Sequence, residues 1–200
     1  MVDLKRHTEY EEVFNRLYEK VKENKKNAVA YIGGDIAHSK TDMSPELVDQ
    51  LSRLFKNLSD IVPLVIIAGN HDCNQNNRSR MDVLTPIVEN LNHPNLHYLK
   101  DSGVYTCAET QFVVWDCWDK EDNFITADQV EGDTKIVLFH GTVDRCETDL
   151  GFRLPSDVKI TKFDGYDMGL LGDIHKRQHL NNCLLYTSDA ADEEDSVDLG

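Results

Sequence analysis

Nothing in the 200-residue chain is apolar for the ~20 residues that crossing a bilayer takes, and residues 1–6 hold no apolar leader. The expectation is a protein with no membrane span and no secretory signal, placed in the cytoplasm or nucleus. Cysteine is sparse and unpaired by spacing. Cys73, Cys107, Cys117, Cys146 and Cys183 make an odd set without a Cys-x-x-Cys, which gives neither a disulfide framework nor a zinc ribbon. Basic residues are outnumbered, 21 against 36 acids, for a formal net charge of −15. That balance argues against broad electrostatic binding to a phosphate backbone. Six of the acids (Asp189, Asp192, Glu193, Glu194, Asp195, Asp198) fall in the last eighteen residues, where Lys and Arg are absent. Without them 30 acids face 21 bases, a balance of −9, and a bound metal ion adds positive charge that this count omits.

What is present suits one folded domain with a sizeable core. Tyr10, Val13, Phe14, Leu17, Tyr18 and Val21 recur at helical spacing, so the spacing predicts a helix over 7–25. Residues 28–33 read as a buried strand, 44–58 as a helix capped by Ser44 with Pro45 in its first turn, and 63–68 as a second buried strand. A helix is expected over 78–91, with Pro86 in its middle. The short runs 96–99, 104–107 and 112–115 suggest an antiparallel meander. A short helix over 126–130 follows, then buried strands over 135–139 and 168–171. The expected fold is α/β: a two-sheet sandwich flanked by helices. A parallel sheet normally opens on a strand and none precedes the first helix, so residues 1–182 are expected to be a domain incomplete at its N-terminus.

The tail from Cys183 to Gly200 lacks apolar periodicity. It resembles the conceptual translation of a sequencing-library adaptor, Cys-Leu-Leu-Tyr-Thr-Ser-Asp-Ala-Ala-Asp-Glu followed by a short variable stretch and Val-Asp-Leu-Gly. Residues 183–200 are therefore expected to be disordered and foreign to the fold.

Four segments carry the chemistry: Gly33 to His38 (Gly-Gly-Asp-Ile-Ala-His), Gly69 to Asp72 (Gly-Asn-His-Asp), Phe139 to Gly141 (Phe-His-Gly) and Gly172 to His175 (Gly-Asp-Ile-His). Each follows an apolar run, where α/β sheets gather their ligands. The carboxylate of Asp35 has two oxygens and can bridge two cations about 3.5 to 4 Å apart. Asn70 offers an amide oxygen, His140 and His175 imidazole nitrogens, and Asp173 another hard oxygen. This set contains no thiolate and suits Mn²⁺, Fe²⁺ or Zn²⁺. His71 is better placed for catalysis: Asp72 can accept from its ring, and a protonated His71 can stabilise charge or protonate a leaving oxygen. His38 can play a similar part at the other edge of a phosphate. At average residue usage, Gly-Asn-His-Asp arises by chance in about one 200-residue chain in a thousand.

With those segments in that order, residues 7–182 resemble the calcineurin-like metallophosphoesterase family, and in particular its SbcD-type DNA repair exonucleases with their phage and viral relatives. The Asp-x-x-His spacing of Asp35 and His38 is similar to that nuclease branch. The resemblance implies a two-metal site activated by manganese, with Asp35 bridging both ions. It gives Asn70, His140 and Asp173 to one ion and His175 to the other, and it gives His71 the general-acid or transition-state role. It also implies a DNA substrate and a possible partner ATPase. Two positions depart from the family pattern. The last motif is usually Gly-His-x-His, where this chain has Asp173. The first motif, Asp-x-His on an opening strand, is absent, which leaves one ion with only Asp35 and His175 and implies a weak or inactive enzyme.

The alternatives at the same site are a phosphomonoesterase or a small-molecule phosphodiesterase, or a non-catalytic fragment that keeps only a binding surface. His7, His93, His97 and His179 read as surface or packing residues, Trp115 as core, and Cys73 and Cys117 as small buried hydrophobes.

Overall fold

The computed structural model describes residues 5–37, 43–107, 110–181 and 184–186. They form two compact units, one holding 5–32 with 43–66 and 84–98, the other holding 33–37, 67–83 and the described residues from 99 on. The α/β class with two sheets and flanking helices is as expected.

In the first unit, helices alternate with parallel strands: α1 (Lys5–Glu23), β1 (Ala30–Ile32), α2 (Pro45–Ser59), β2 (Leu64–Ile66), α3 (Thr85–Leu91) and β3 (Leu96–Tyr98). The strand order is β1-β2-β3, with Ile32 beside Ile66 and Ile66 beside Tyr98. α2 starts where the sequence indicates. Ser44 Oγ accepts the Leu47 N–H at 3.2 Å, and Pro45 sits in the first turn, where no proline N–H is needed. Its buried residues Leu51, Leu54, Phe55 and Leu58 lie three and four apart, one face of a helix.

Two expectations are corrected here. The helix predicted over 78–91 starts only at Thr85, with Pro86 in its first turn, the helical position that tolerates proline. The preceding residues are held by ion pairs instead, Arg78 to Asp101 and Asp116, and Asp82 to Lys100. The meander predicted from residue 96 does not include β3, which pairs in parallel with β2 because α3 turns the chain back before it.

The second unit is a six-stranded sheet of β4 (Gly103–Cys107), β5 (Thr110–Trp115), β6 (Thr134–His140), β7 (Met168–Gly172), β8 (Gln178–His179) and β9 (Leu184–Tyr186), in the order β4-β5-β6-β7-β9-β8. The inner four strands run parallel, and the two edge strands are antiparallel to their neighbours. The short helix predicted at 126–130 is a single 3₁₀ turn, Ala127–Gln129, closed by a reciprocal cap between Thr126 and Gln129. Fully buried Trp115 organises the core. It stacks on Phe124 at 4.6 Å, touches Phe139, Phe163 and Tyr166, and gives its indole N–H to the Ile125 carbonyl at 2.9 Å. That places it in the core, as expected, with its ring edge satisfied.

The tail is also corrected in part. Leu184–Tyr186 is strand β9, Leu184 is fully buried, and its N–H donates to Asn181 Oδ1 at 2.8 Å. Three apolar residues after a turn suffice for a strand, whatever the composition beyond them. Residues 187–200 lie outside the described residues.

Candidate metal centre

Parallel strands in matched register end together. Trp115 pairs with Phe139 and Phe139 with Leu171, so the residues that follow line one edge of the sheet: Asp116 and Cys117 after β5, His140 closing β6, and Asp173 after β7. The segments after β1 and β2 supply Asp35 and the Gly69–Asp72 turn to the same unit. This is the carboxyl end of the strands, where α/β sheets place ligands.

His140 stands at the centre with its side chain almost fully buried. Its Nε2 lies 3.0 Å from Asn70 Oδ1, 3.2 Å from Asp35 Oδ2 and 3.9 Å from Asp173 Oδ1. The donor atoms of Asp35, His140 and Asp173 all fall within 4.8 Å of one another. The other ring nitrogen, Nδ1, is 2.6 Å from the Gly33 carbonyl. A carbonyl only accepts, so Nδ1 carries a proton and Nε2 is turned to the cluster, the arrangement by which proteins present a ligand histidine. Asp35 and Asp173 both adopt left-handed backbone, with φ of 52° and 86°, a conformation that aspartate tolerates better than most residues.

The remaining sequence candidates are placed as follows. The His71 N–H donates to Asp35 Oδ1 at 2.9 Å, and the residue is exposed. His175 is exposed and is not part of the close cluster of donors among the described residues. His38 lies outside the described residues. Asp72, expected to orient the His71 ring, is fully buried and uses both oxygens on backbone, accepting from Ala37 and Gly69, each at 2.9 Å. It clamps the Asp35 segment to the Gly69 turn.

A family model for the calcineurin-like phosphoesterases matches residues 7–177. The chain belongs to the calcineurin-like phosphoesterase family. A protein of Acanthamoeba polyphaga mimivirus, named uncharacterized protein R555, is 41% identical over 192 residues. The match covers 89% of this chain and 14% of that protein, so the chain spans about one seventh of its relative's length.

Phosphoesterases of this family carry out metal-dependent phosphoester hydrolysis and bind divalent metals, and the cluster passes the chemical test for one. In octahedral coordination at 2.0–2.1 Å, neighbouring donors sit about 3.0 Å apart. The contacts from His140 Nε2 to Asn70 and Asp35 match that spacing. Two carboxylate oxygens, an amide oxygen and one imidazole are a hard to borderline set. Burial disfavours the charged forms of both His140 and Asp35. Their mutual hydrogen bond and charge outweigh it, raising His140 to about 9 and lowering Asp35. Burial, then the nearby Asp35 charge, pushes Asp72 up to about 6 in spite of its two N–H donors.

The cluster is also closed by the glycines that open two of the four sequence segments. An added Cβ at Gly69 would overlap Asp35 Oδ1, and one at Gly172 would overlap the Gly33 carbonyl oxygen and lie 2.8 Å from His140 Nδ1. Thr142 is a residue that no motif revealed. Its hydroxyl donates to Asp173 Oδ2 at 3.0 Å, leaving Oδ1 for the cluster. Thr142→Val is expected to weaken metal uptake about tenfold, as loss of a supporting hydrogen bond does, with little change in melting temperature. Calorimetric metal titration checks it. Asp72→Ala leaves two buried N–H groups without acceptors and is expected to cost about 2 kcal/mol or more, read by denaturant unfolding.

Proposed function

We propose that this chain hydrolyses phosphodiester bonds, with DNA as its substrate class and manganese as its activating ion. The observation that carries the reading is the convergence of Asp35, Asn70, His140 and Asp173 on one point, beside exposed His71. These four residues would hold one cation, and the family resemblance would give a second to Asp35 and His175. A divalent cation there supplies positive charge that neutralises the phosphate and makes an attacking water more acidic. His140 is held in its ligand tautomer by Gly33. Asp35 is oriented by the His71 N–H, which ties the backbone of that turn to the cluster. The His71 side chain, on the exposed rim, donates a proton to the leaving oxygen or stabilises its charge. His38, outside the described residues, is the further candidate that the Asp-x-x-His spacing offers.

The Asp-x-x-His spacing of Asp35 and His38 supports DNA over other esters. The net charge of −15 favours a small phosphoester, and one assay separates the two. The chain is incubated with Mn²⁺, Fe²⁺ or Zn²⁺ against duplex DNA, an aryl phosphodiester and a phosphopeptide. DNA cleavage with Mn²⁺, abolished by EDTA, is the expected result. Cleavage of the aryl ester with DNA left intact selects the small-substrate enzyme. Metal uptake with no hydrolysis of any substrate selects the binding fragment.

A further inference from the structure

We propose that Cys73 and Cys117 are a redox-active pair that closes into a reversible disulfide, fixing the turn that carries Asn70 and His71 to the end of β5. The two residues are 44 apart in sequence, yet their sulfurs lie 3.0 Å from each other. A disulfide bond needs about 2.05 Å, so closure takes a shift of about 1 Å and no rearrangement of the fold.

The surroundings divide the roles. Cys117 is partly exposed and Cys73 fully buried, so a reagent meets Cys117 first and Cys73 resolves the product. Cys117 rides on a rigid anchor. The neighbouring Asp116 carboxylate is 5% exposed as a residue and accepts from the N–H groups of Ser102 (2.9 Å), Trp118 (2.7 Å) and Asp119 (2.8 Å), and from Arg78 (3.1 Å). Cys73 follows directly on the Gly69–Asp72 turn, and its thiol donates to the Gly69 carbonyl at 3.2 Å. Closing the bond removes that donor from the residue that packs against Asp35.

The oxidant is a small-molecule disulfide such as oxidised glutathione. The Cys117 thiolate attacks one sulfur of the oxidant, forming a mixed disulfide and expelling one glutathione. The Cys73 thiolate then attacks Cys117 Sγ and expels the second. The protein loses two S–H hydrogens and gains one S–S bond, while the oxidant's S–S bond becomes two thiols that carry the protons away. Sharing a hydrogen bond with Cys73 and lying partly buried both hold the Cys117 thiol well above its ordinary pKa, which makes the exchange slow.

Only the effect on metal uptake rests on the function proposed above; the bond itself is tested apart from it. The full chain is equilibrated in glutathione buffers of graded redox ratio, quenched with acid, alkylated and mapped by mass spectrometry. The expected product is a Cys73–Cys117 peptide pair that dithiothreitol reverses. Cys73→Ser should trap the glutathione adduct on Cys117, and Cys117→Ser should leave buried Cys73 unmodified. Recovery of both cysteines alkylated in excess oxidised glutathione, or pairing of either with Cys107, overturns the proposal. Manganese titration of both redox states is expected to differ about tenfold, the scale of a displaced supporting contact. Equal affinities overturn the fixing of the turn. Failure of both states to bind manganese removes the metal reading and leaves the peptide map to decide the disulfide.

Discussion

Asp35→Asn is expected to lower any metal-dependent phosphoester hydrolysis by about 10²- to 10³-fold, the scale of losing a group that stabilises transition-state charge, and to weaken metal uptake with it. The substitution isolates charge from fold. Residue 35 has φ of 52°, and asparagine shares with aspartate a tolerance for left-handed backbone. Melting temperature should therefore change little. At the site the change is severe, because Asp35 Oδ1 accepts the His71 N–H at 2.9 Å while Oδ2 faces His140 Nε2 at 3.2 Å. An amide keeps one acceptor and puts its NH₂ against the other partner. Calorimetric titration with Mn²⁺ and initial rates on a phosphodiester check it together. An Asp35→Asn variant that binds manganese within twofold of the parent would remove Asp35 from the site.

Gly172→Ala should be nearly as damaging by a different route. The added methyl overlaps the Gly33 carbonyl, the acceptor that fixes the His140 tautomer, and crowds Nδ1 itself at 2.8 Å. Both atoms belong to packed backbone or to a ring with no room to rotate, so the strain cannot be relieved by a flexible side chain. Losing this support is expected to weaken metal binding about 10- to 100-fold. Overpacking destabilises the fold by about 1–3 kcal/mol in addition. Gly151→Ala is the control. It has φ of +79° but no atom within 4 Å of the added methyl, so it costs about 1 kcal/mol of backbone strain and leaves metal affinity unchanged. Equal losses from both variants would show that the Gly172 effect is general destabilisation.

The sequence made some of this legible and hid the rest for identifiable reasons. Helix α2 was readable because its cap, its proline and its apolar stripe are local signals. That Asp35, Asn70, His140 and Asp173 come together was readable because each lies at or just past a strand end, and strand ends converge in α/β sheets. The first half of the expected 78–91 helix was misread because apolar spacing cannot register that Arg78 and Asp82 are committed to Asp101, Asp116 and Lys100. β3 was misassigned because three short apolar runs in succession look alike whether they pair in parallel or antiparallel. Two contacts distant in sequence were invisible for a simpler reason. The Gly33–His140 bond spans 107 residues and the Cys73–Cys117 contact 44, and neither leaves a periodic trace. Asp72 was noticed for its neighbour in sequence, when its partners are Ala37 and Gly69.

Strand β9 has a bearing on solubility. It lies between β7, which delivers Asp173, and β8, so β7 has both sides paired. On that side of the sheet the edge strand among the described residues is β8, two polar residues long, and edges that short and polar are poor templates for further strands. A version of the chain ending at Asn181 would uncover the β7 edge, Met168 to Gly172, whose buried and apolar backbone is a template for other chains. Such a shortened protein is predicted to self-associate at the same edge from which Asp173 is presented.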